Sequence, residues 1–409
     1  MVVQEREQAF ARRTITTADL AEWPDARLDG GGRMEDTRVF IGSSTIESQP
    51  LRTKRLVFTD PQDPSLACAH SAVSADGKLL AASFGSNDVL VWRLSDGLLV
   101  QRLGHDHGHT DRIFALAFSP VDPCTLVSGS KDTTALVWDT RRARVLQRLE
   151  GHRGPVSSIA YAPDGALIAT GSHGDTSVKL WAPALGACLH TFDVGAGMYT
   201  LAFSADNTRL AVALGRSGLL YDLRTHARVA TLQHASTEVL YWALDSAAGA
   251  DADARVATAP GLQNPGEVKL WSAHTGAPLR TIAHPPHGLS MPVAFAPDGS
   301  EVLAACNAEC TALAFDARTG ALRRTFRAAK RVYRVAYSPD GAYVAFGAAD
   351  GDVEVHDAAS GVFLGRFDGR EGSRELWEVQ FLADGQSLLA RFKYGPLLLY
   401  NVQDVLRIR

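Results

Sequence analysis

The sequence predicts an all-β architecture, eight small four-stranded antiparallel sheets stacked radially about one axis, with a short irregular N-terminal extension. Three observations predict it. An aromatic residue (once a histidine) closes a β-rich run at Trp92, Trp138, Trp181, Tyr221, Trp271, Phe315, His356 and Tyr400, at intervals of 40 to 50 residues. Tight-turn signals precede seven of these ends: "SADG" (74–77), "SPVD" (119–122), "APDG" (162–165), "SADN" (204–207), "APDG" (296–299), "SPDG" (338–341) and "LADG" (382–385). Asp-Gly and Asp-Asn between apolar runs tolerate the positive φ of a hairpin turn. Finally, the runs between turns alternate at period two, as in "SSIAYA", "LIATGS", "SVKLW" and "ACLHTF" of the third unit. One such sheet cannot bury both faces, whereas units stacked in a closed ring can, and closure also protects the edges.

Taken in order, residues 1–50 do not fit the repeat. "TTADLAEW" has the makings of a short helix, with Thr16 three residues before Asp19 as a weak capping box and Pro24 as its stop, and "LDGGGR" reads as a flexible linker. This extension is expected to be partly disordered or briefly helical, and the repeats to occupy 51–409. Within them, "DSAAGADADARVATAPGLQNPGE" (245–267) reads as an exposed hairpin loop inserted in unit five. The eighth unit shows three strands, so its outer strand must come either from "TKRLVF" (53–58) or from "DVLRIR" (404–409). The N-terminal segment is the favoured one, because it would join the two ends of the chain.

Units two and three carry fixed offsets beyond the terminal Trp. Unit two has Gly108-His109, Ser128, Asp132 and Trp138-Asp139; unit three has Gly151-His152, Thr170, Asp175 and Trp181. His precedes Trp by 29 residues and Asp precedes it by six in both. On these residues the chain, from about residue 50 onward, resembles the WD-repeat β-propellers. The eight units then read as eight blades, with seven, the commoner number in that family, as the alternative, and the resemblance implies a hydrogen-bonded tetrad in which Trp reaches Ser/Thr, Ser/Thr reaches His, and His reaches Asp. Asp132 and Asp175 are then structural rather than catalytic. Unit seven keeps Asp350 six before His356 but has no Gly-His, and the other units lack most of the tetrad.

Bulk properties narrow the function. A net charge of −4 gives no whole-chain attraction to nucleic acid or anionic lipid. No run approaches the roughly 18 apolar residues of a membrane span, and "MVVQEREQAF" is charged where a signal peptide is apolar. Five scattered cysteines suit buried thiols in a reducing compartment, cytoplasmic or nuclear. "GHDHGHT" (104–110) reads as a solvated loop rather than a metal site. No phosphate loop, nucleophile elbow or paired metal-ligand helix is present. No enzymatic activity, cofactor or metal is expected.

What remains is a binding surface. The resemblance places partner contacts at the entry end of each innermost strand, four and six residues before its last apolar residue, and just before the turn Asp. Four before lie Ala69, Phe114, Ser157, Tyr199, Leu240, Met291, Tyr333 and Trp377; six before lie Arg112, Glu238, Leu289, Arg331 and Glu375, among others; Lys131 precedes Asp132. The expected contact set is Arg112, Phe114, Lys131, Tyr199, Met291, Arg331, Tyr333, Glu375 and Trp377. Blades seven, eight and two form an aromatic and basic arc around small residues of blade one, suited to an acidic or phosphorylated protein segment. The readings left open are aromatics that merely plug the channel mouth, a small-ligand or catalytic use of the channel, and RNA association through the basic arc.

Overall fold

In the computed structural model, every described unit closes its apolar faces against the next. The structure describes residues 32–41, 51–104, 107–215, 217–233, 241–245, 254–259, 267–283, 290–306, 309–369, 376–393 and 395–406. Eight four-stranded antiparallel blades form a ring. Blade two shows the pattern: strand a Ile113–Phe118 is innermost, then b Thr125–Ser130, c Ala135–Asp139 and the outer d Arg144–Leu149. Strands b and c are sandwiched between neighbouring blades, so Leu79–Ser83 and Val89–Arg93 of blade one are buried along their whole length. Strand d has one edge in solvent and alternates instead, as Arg144–Leu149 does.

The a–b turns form as the Asp-Gly signals require. Gly77, Gly165, Asn207, Gly299, Gly341 and Gly385 all take positive φ, between 57° and 70°. In three of them a serine fixes the corner: Ser74, Ser204 and Ser338 donate to Asp76, Asp206 and Asp340 at 2.5–2.6 Å. The same hydroxyls accept the backbone N–H of Leu79, Arg209 and Tyr343. These carboxylates therefore serve the turn.

The ring is closed by the N-terminal segment. Strand β2 (Leu51–Phe58) pairs antiparallel with strand c of blade eight (Leu397–Asn401), supplying its fourth strand. Arg33–Ile41, inside the segment read from sequence as an extension, is a strand (β1) that pairs with β2 on one side. Its last residues, Val39–Ile41, pair with the outer strand of blade seven (Phe363–Phe367), so blades seven and eight share one nine-stranded sheet. Leu56, Val57 and Phe58 are buried, with Phe58 edge-on to Trp92 at 5.6 Å. Of the rival segment "DVLRIR", the described residues 404–406 take no strand position. Gln403–Leu406 is a helical turn (α1) whose Val405 packs with Val57, Phe367 and Tyr400. The helix read at "TTADLAEW" lies outside the described residues.

One expectation is overturned. The stretch read as a hairpin loop in unit five contains strand b of that blade, Arg255–Ala259, with Val256 to Ala259 buried. Its apolar run "RVATA" is short and flanked by Ala, Asp, Gly and Pro, which obscured it.

Candidate interaction surface

The two tetrads form as the resemblance implies. In blade two the Trp138 indole donates to Ser128 Oγ (2.7 Å), Ser128 lies 2.7 Å from His109 Nε2, and His109 Nδ1 lies 2.8 Å from Asp132. Blade three repeats it through Trp181, Thr170, His152 and Asp175 at 2.7, 2.8 and 3.0 Å. One donor per link requires each imidazole to carry its proton on Nδ1. Burial works against ionising Asp132, but hydrogen bonds from His109, the Thr110 N–H and Thr134 outweigh it, and its pKa falls well below the carboxylate range. Asp175 follows the same balance down to about 2. These aspartates are anchors that tie the d–a connection to the b–c turn at one end of each blade.

Other blades replace or drop the line. Blade five keeps half of it, with Trp271 donating to Thr258 at 2.8 Å; that hydroxyl was hidden in the stretch read as a loop. In blade seven, Phe346 occupies the Ser position, and its ring packs 4.7 Å from that of His356. His356 pairs instead with the buried Glu354 at 3.3 Å, and Glu354 accepts the Ala329 N–H at 3.0 Å.

The end of the ring bearing these connections carries the predicted contact positions. The Lys131 N–H donates to the Arg112 carbonyl (2.9 Å), and the Ala349 N–H to that of Arg331 (2.9 Å). Both pairs hold a b–c turn against the start of strand a. Just inside, strand a is bulged in six blades. The ladder skips one residue between Ile113/Ala115, Val156/Ser158, Met198/Thr200, Val332/Arg334 and Leu376/Glu378, and shifts again within Ser290/Val293. The skipped residues are Phe114, Ser157, Tyr199, Tyr333 and Trp377, and Met291 lies within the sixth shift. A bulge breaks the alternation, re-aims its side chain and frees its backbone groups from the ladder. The position four before the strand end is therefore a distinct structural place. Tyr199 is 57% exposed and Trp377 42%, which is too open for buried plugs; Phe114 and Tyr333 are half-buried.

The structure does not bring the whole contact set together. Trp377 and Tyr333 share the rim of blades eight and seven with the exposed Arg331. Arg112, Phe114 and Lys131 lie on blade two, and Lys131 is paired with Asp111 at 3.2 Å. Tyr199 stands on blade four, edge-on to His173 at 6.1 Å, apart from the arc. Met291 is on strand a of blade six, and Glu375 lies outside the described residues, as do Leu240, Glu238 and Leu289.

Three ionisable groups were missed. Arg334, His70 and Glu378 each lie three before the end of strand a, in blades seven, one and eight, and that repeated ionisable position was legible in the sequence. Arg391, from strand b of blade eight, binds Glu378 (2.9 Å) and the Ala69 carbonyl (2.6 Å), with its guanidinium 5.6 Å from the Trp377 ring centre. Burial pushes the His70 imidazole down to about 4, and Arg391 acts in the same direction. The small residues of blade one thus lie beside an arginine–indole stack and a neutral histidine.

Among the described residues, no group of three or more His, Cys, Asp or Glu is placed to hold a metal ion. His105 and Asp106 of the histidine-rich loop lie outside those residues. No described helix is long and apolar enough to cross a membrane.

The family model for the WD domain, G-beta repeat, matches residues 100–139, 143–182 and 320–357. These are blades two and three, which hold the tetrads, and blade seven, which keeps the Asp350 spacing. The chain is 36% identical over 128 residues to small ribosomal subunit protein RACK1y of Oryza sativa subsp. japonica, covering 30% of this chain and 38% of that protein. It is 32% identical over 114 residues to a guanine nucleotide-binding protein subunit beta of Arabidopsis thaliana, covering 27% and 30%. The chain thus spans well under half the length of these relatives. Among solved structures, the computationally designed Ika8 protein shares the fold with a TM-score of 0.65 at 22% identity, over 82% of this chain and 96% of that one. With the repeated turns, the buried tetrads and the closed ring, these matches support a WD-repeat family for this chain.

Proposed function

We propose that the protein is a non-enzymatic scaffold that binds a segment of a partner protein across the bulged end of its ring, as a subunit of a larger assembly in the cytoplasm or nucleus. The observation that carries this reading is the bulge. Unrelated packing needs would not place Phe114, Tyr333 and Trp377 at the same unpaired position of three blades with Arg112 and Arg331 just outside them. Aromatic and arginine side chains on a rigid rim are the groups that dominate protein interfaces. The relatives' names, a ribosomal subunit protein and a G-protein subunit, describe members of multi-protein assemblies and support the same class of role.

The contact residues would be Phe114, Tyr333 and Trp377 as anchors, with Arg112, Lys131, Arg331 and Glu375 around them and Tyr199 and Met291 available to a longer segment. The cations favour an acidic or phosphorylated segment. The test is affinity purification from cells with the wild type and with the triple variant Phe114→Ala, Tyr333→Ala, Trp377→Ala. Loss of the co-purifying partners at an unchanged melting temperature is expected. Retention of the partners by the triple variant would refute the site.

A further inference from the structure

Six blades free a bulge residue's backbone from the ladder, and blades seven and eight use two of those carbonyls in the same way. Arg334, on strand a of blade seven, donates through Nη1 to the Tyr333 carbonyl at 2.7 Å and through Nε to the Trp377 carbonyl of the next blade. Both acceptors belong to bulge residues. A guanidinium has five N–H donors and no acceptor, so these contacts fix its plane and leave three donors unspent. No carboxylate pairs with Arg334 among the described residues, and it is half-buried.

We infer that Arg334 is the anion-reading residue of this surface, a preformed fork for an acidic side chain of the bound segment, carboxylate or phosphate, whose apolar neighbour packs on Trp377. The inference rests on the scaffold reading. The other cations suit the task less. Lys131 is already paired with Asp111, and Arg391 is spent on Glu378 and the Ala69 carbonyl. Arg331 and Arg112 are exposed, so a ligand would have to order them at an entropic cost that Arg334, held by the backbone, largely avoids. Among the described residues no carboxylate pairs with Lys330, Arg331 or Arg334, and Arg391 pairs with Glu378, in a chain of net charge −4. The local field therefore favours an anion that the whole molecule would repel.

The test uses three fluorescein-labelled, capped nine-residue peptides in which Leu alternates with Glu, with Gln or with phosphoserine. Binding by anisotropy is measured to wild-type protein, Arg334→Gln, Arg334→Lys and the triple anchor variant. Arg334→Gln should weaken the Glu or the phosphoserine peptide by about 10- to 100-fold, the loss expected for a charge-assisted pair, and leave the Gln peptide unchanged. Arg334→Lys, which keeps the charge without the fork, should fall between. Whichever anionic peptide loses more identifies the source of the charge. Equal binding of the anionic peptides by Arg334→Gln and wild type, or no preference of wild type for either over the Gln peptide, overturns the inference. The scaffold reading fails separately, only if the triple variant keeps its cellular partners.

Discussion

Ser128→Ala isolates what the tetrad contributes. Ser128 is fully buried, and its one hydroxyl serves two partners, accepting from Trp138 and meeting His109 Nε2, each at 2.7 Å. Alanine at this position leaves an indole N–H and an imidazole nitrogen unpaired beside a void too small for water. Each orphaned buried group costs about 1–3 kcal/mol, so the variant should lose about 2–6 kcal/mol from blade two. A ring of this size need not unfold in one step, so the readout should be local. Hydrogen–deuterium exchange of strand c, Ala135–Asp139, should accelerate by about 30-fold or more in the EX2 regime, at about 1.4 kcal/mol per decade. Strand c of blade six, Thr311–Asp316, should stay unchanged. Ser128→Thr, which restores the arrangement blade three has with Thr170, should behave nearly as wild type. If Ser128→Thr is as damaging as Ser128→Ala, or if Ser128→Ala leaves exchange unaltered, the hydrogen-bond argument is wrong and packing alone holds the blade.

Three further outcomes follow from the coordinates. Phe58→Ala should destabilise the ring by about 3–5 kcal/mol in urea denaturation, because Phe58 is wholly buried where β2 completes blade eight; the half-exposed Met34 of β1 should tolerate alanine. Asp352 is buried, and burial raises its pKa to about 6. A raised native pKa favours the fold below about pH 4 and loses that advantage as pH climbs to 6, so Asp352→Asn should stabilise at pH 7.5 by up to about 3 kcal/mol and match wild type below pH 4. His70 has the opposite sign: its native pKa of about 4 lies below the ordinary histidine value, so its contribution is complete above about pH 6.5 and is lost as pH falls towards 4. Between pH 4 and 6 the two slopes oppose, and relative to wild type His70→Gln should tilt stability downward with rising pH while Asp352→Asn tilts it upward; parallel shifts of both variants would contradict these assignments.

The repeat was legible because each blade solves the same local problem with the same residues. Ser74, Asp76 and Gly77 must build a corner wherever a hairpin turns, and Trp138 needs Ser128 and His109 wherever it is buried. What could not be read was held by contacts between distant segments. Arg33–Ile41 has no repeat signature, since its pairing partners are Leu51–Phe58 and the outer strand of blade seven, more than 300 residues away. Strand b of blade five was hidden because Arg255–Ala259 is short and lies among loop-forming residues, yet its Thr258 is what holds Trp271. In the candidate site, the residues four before the strand end were found by position alone. The physical reason, a bulge that takes them out of the ladder, appears only in the register.

That register also explains why the missed charges lie where they do. A bulge on strand a turns an aromatic towards the rim, and it strands a backbone carbonyl near the channel wall, where a lost hydrogen bond is costly. In blades seven and eight Arg334 meets that need across the blade boundary, so one guanidinium joins two bulges and holds Tyr333 and Trp377 in a fixed relation. Arg391 links blade eight to blade one by donating to the Ala69 carbonyl while its face covers the Trp377 ring. The sector where the chain's ends meet, sealed at the outside by β1 and β2, is therefore cross-linked at the inside by arginines. A partner gripping Trp377 would engage a surface whose geometry depends on that closure, and variants that loosen β2 should weaken binding at the rim although β2 is the outer strand of blade eight.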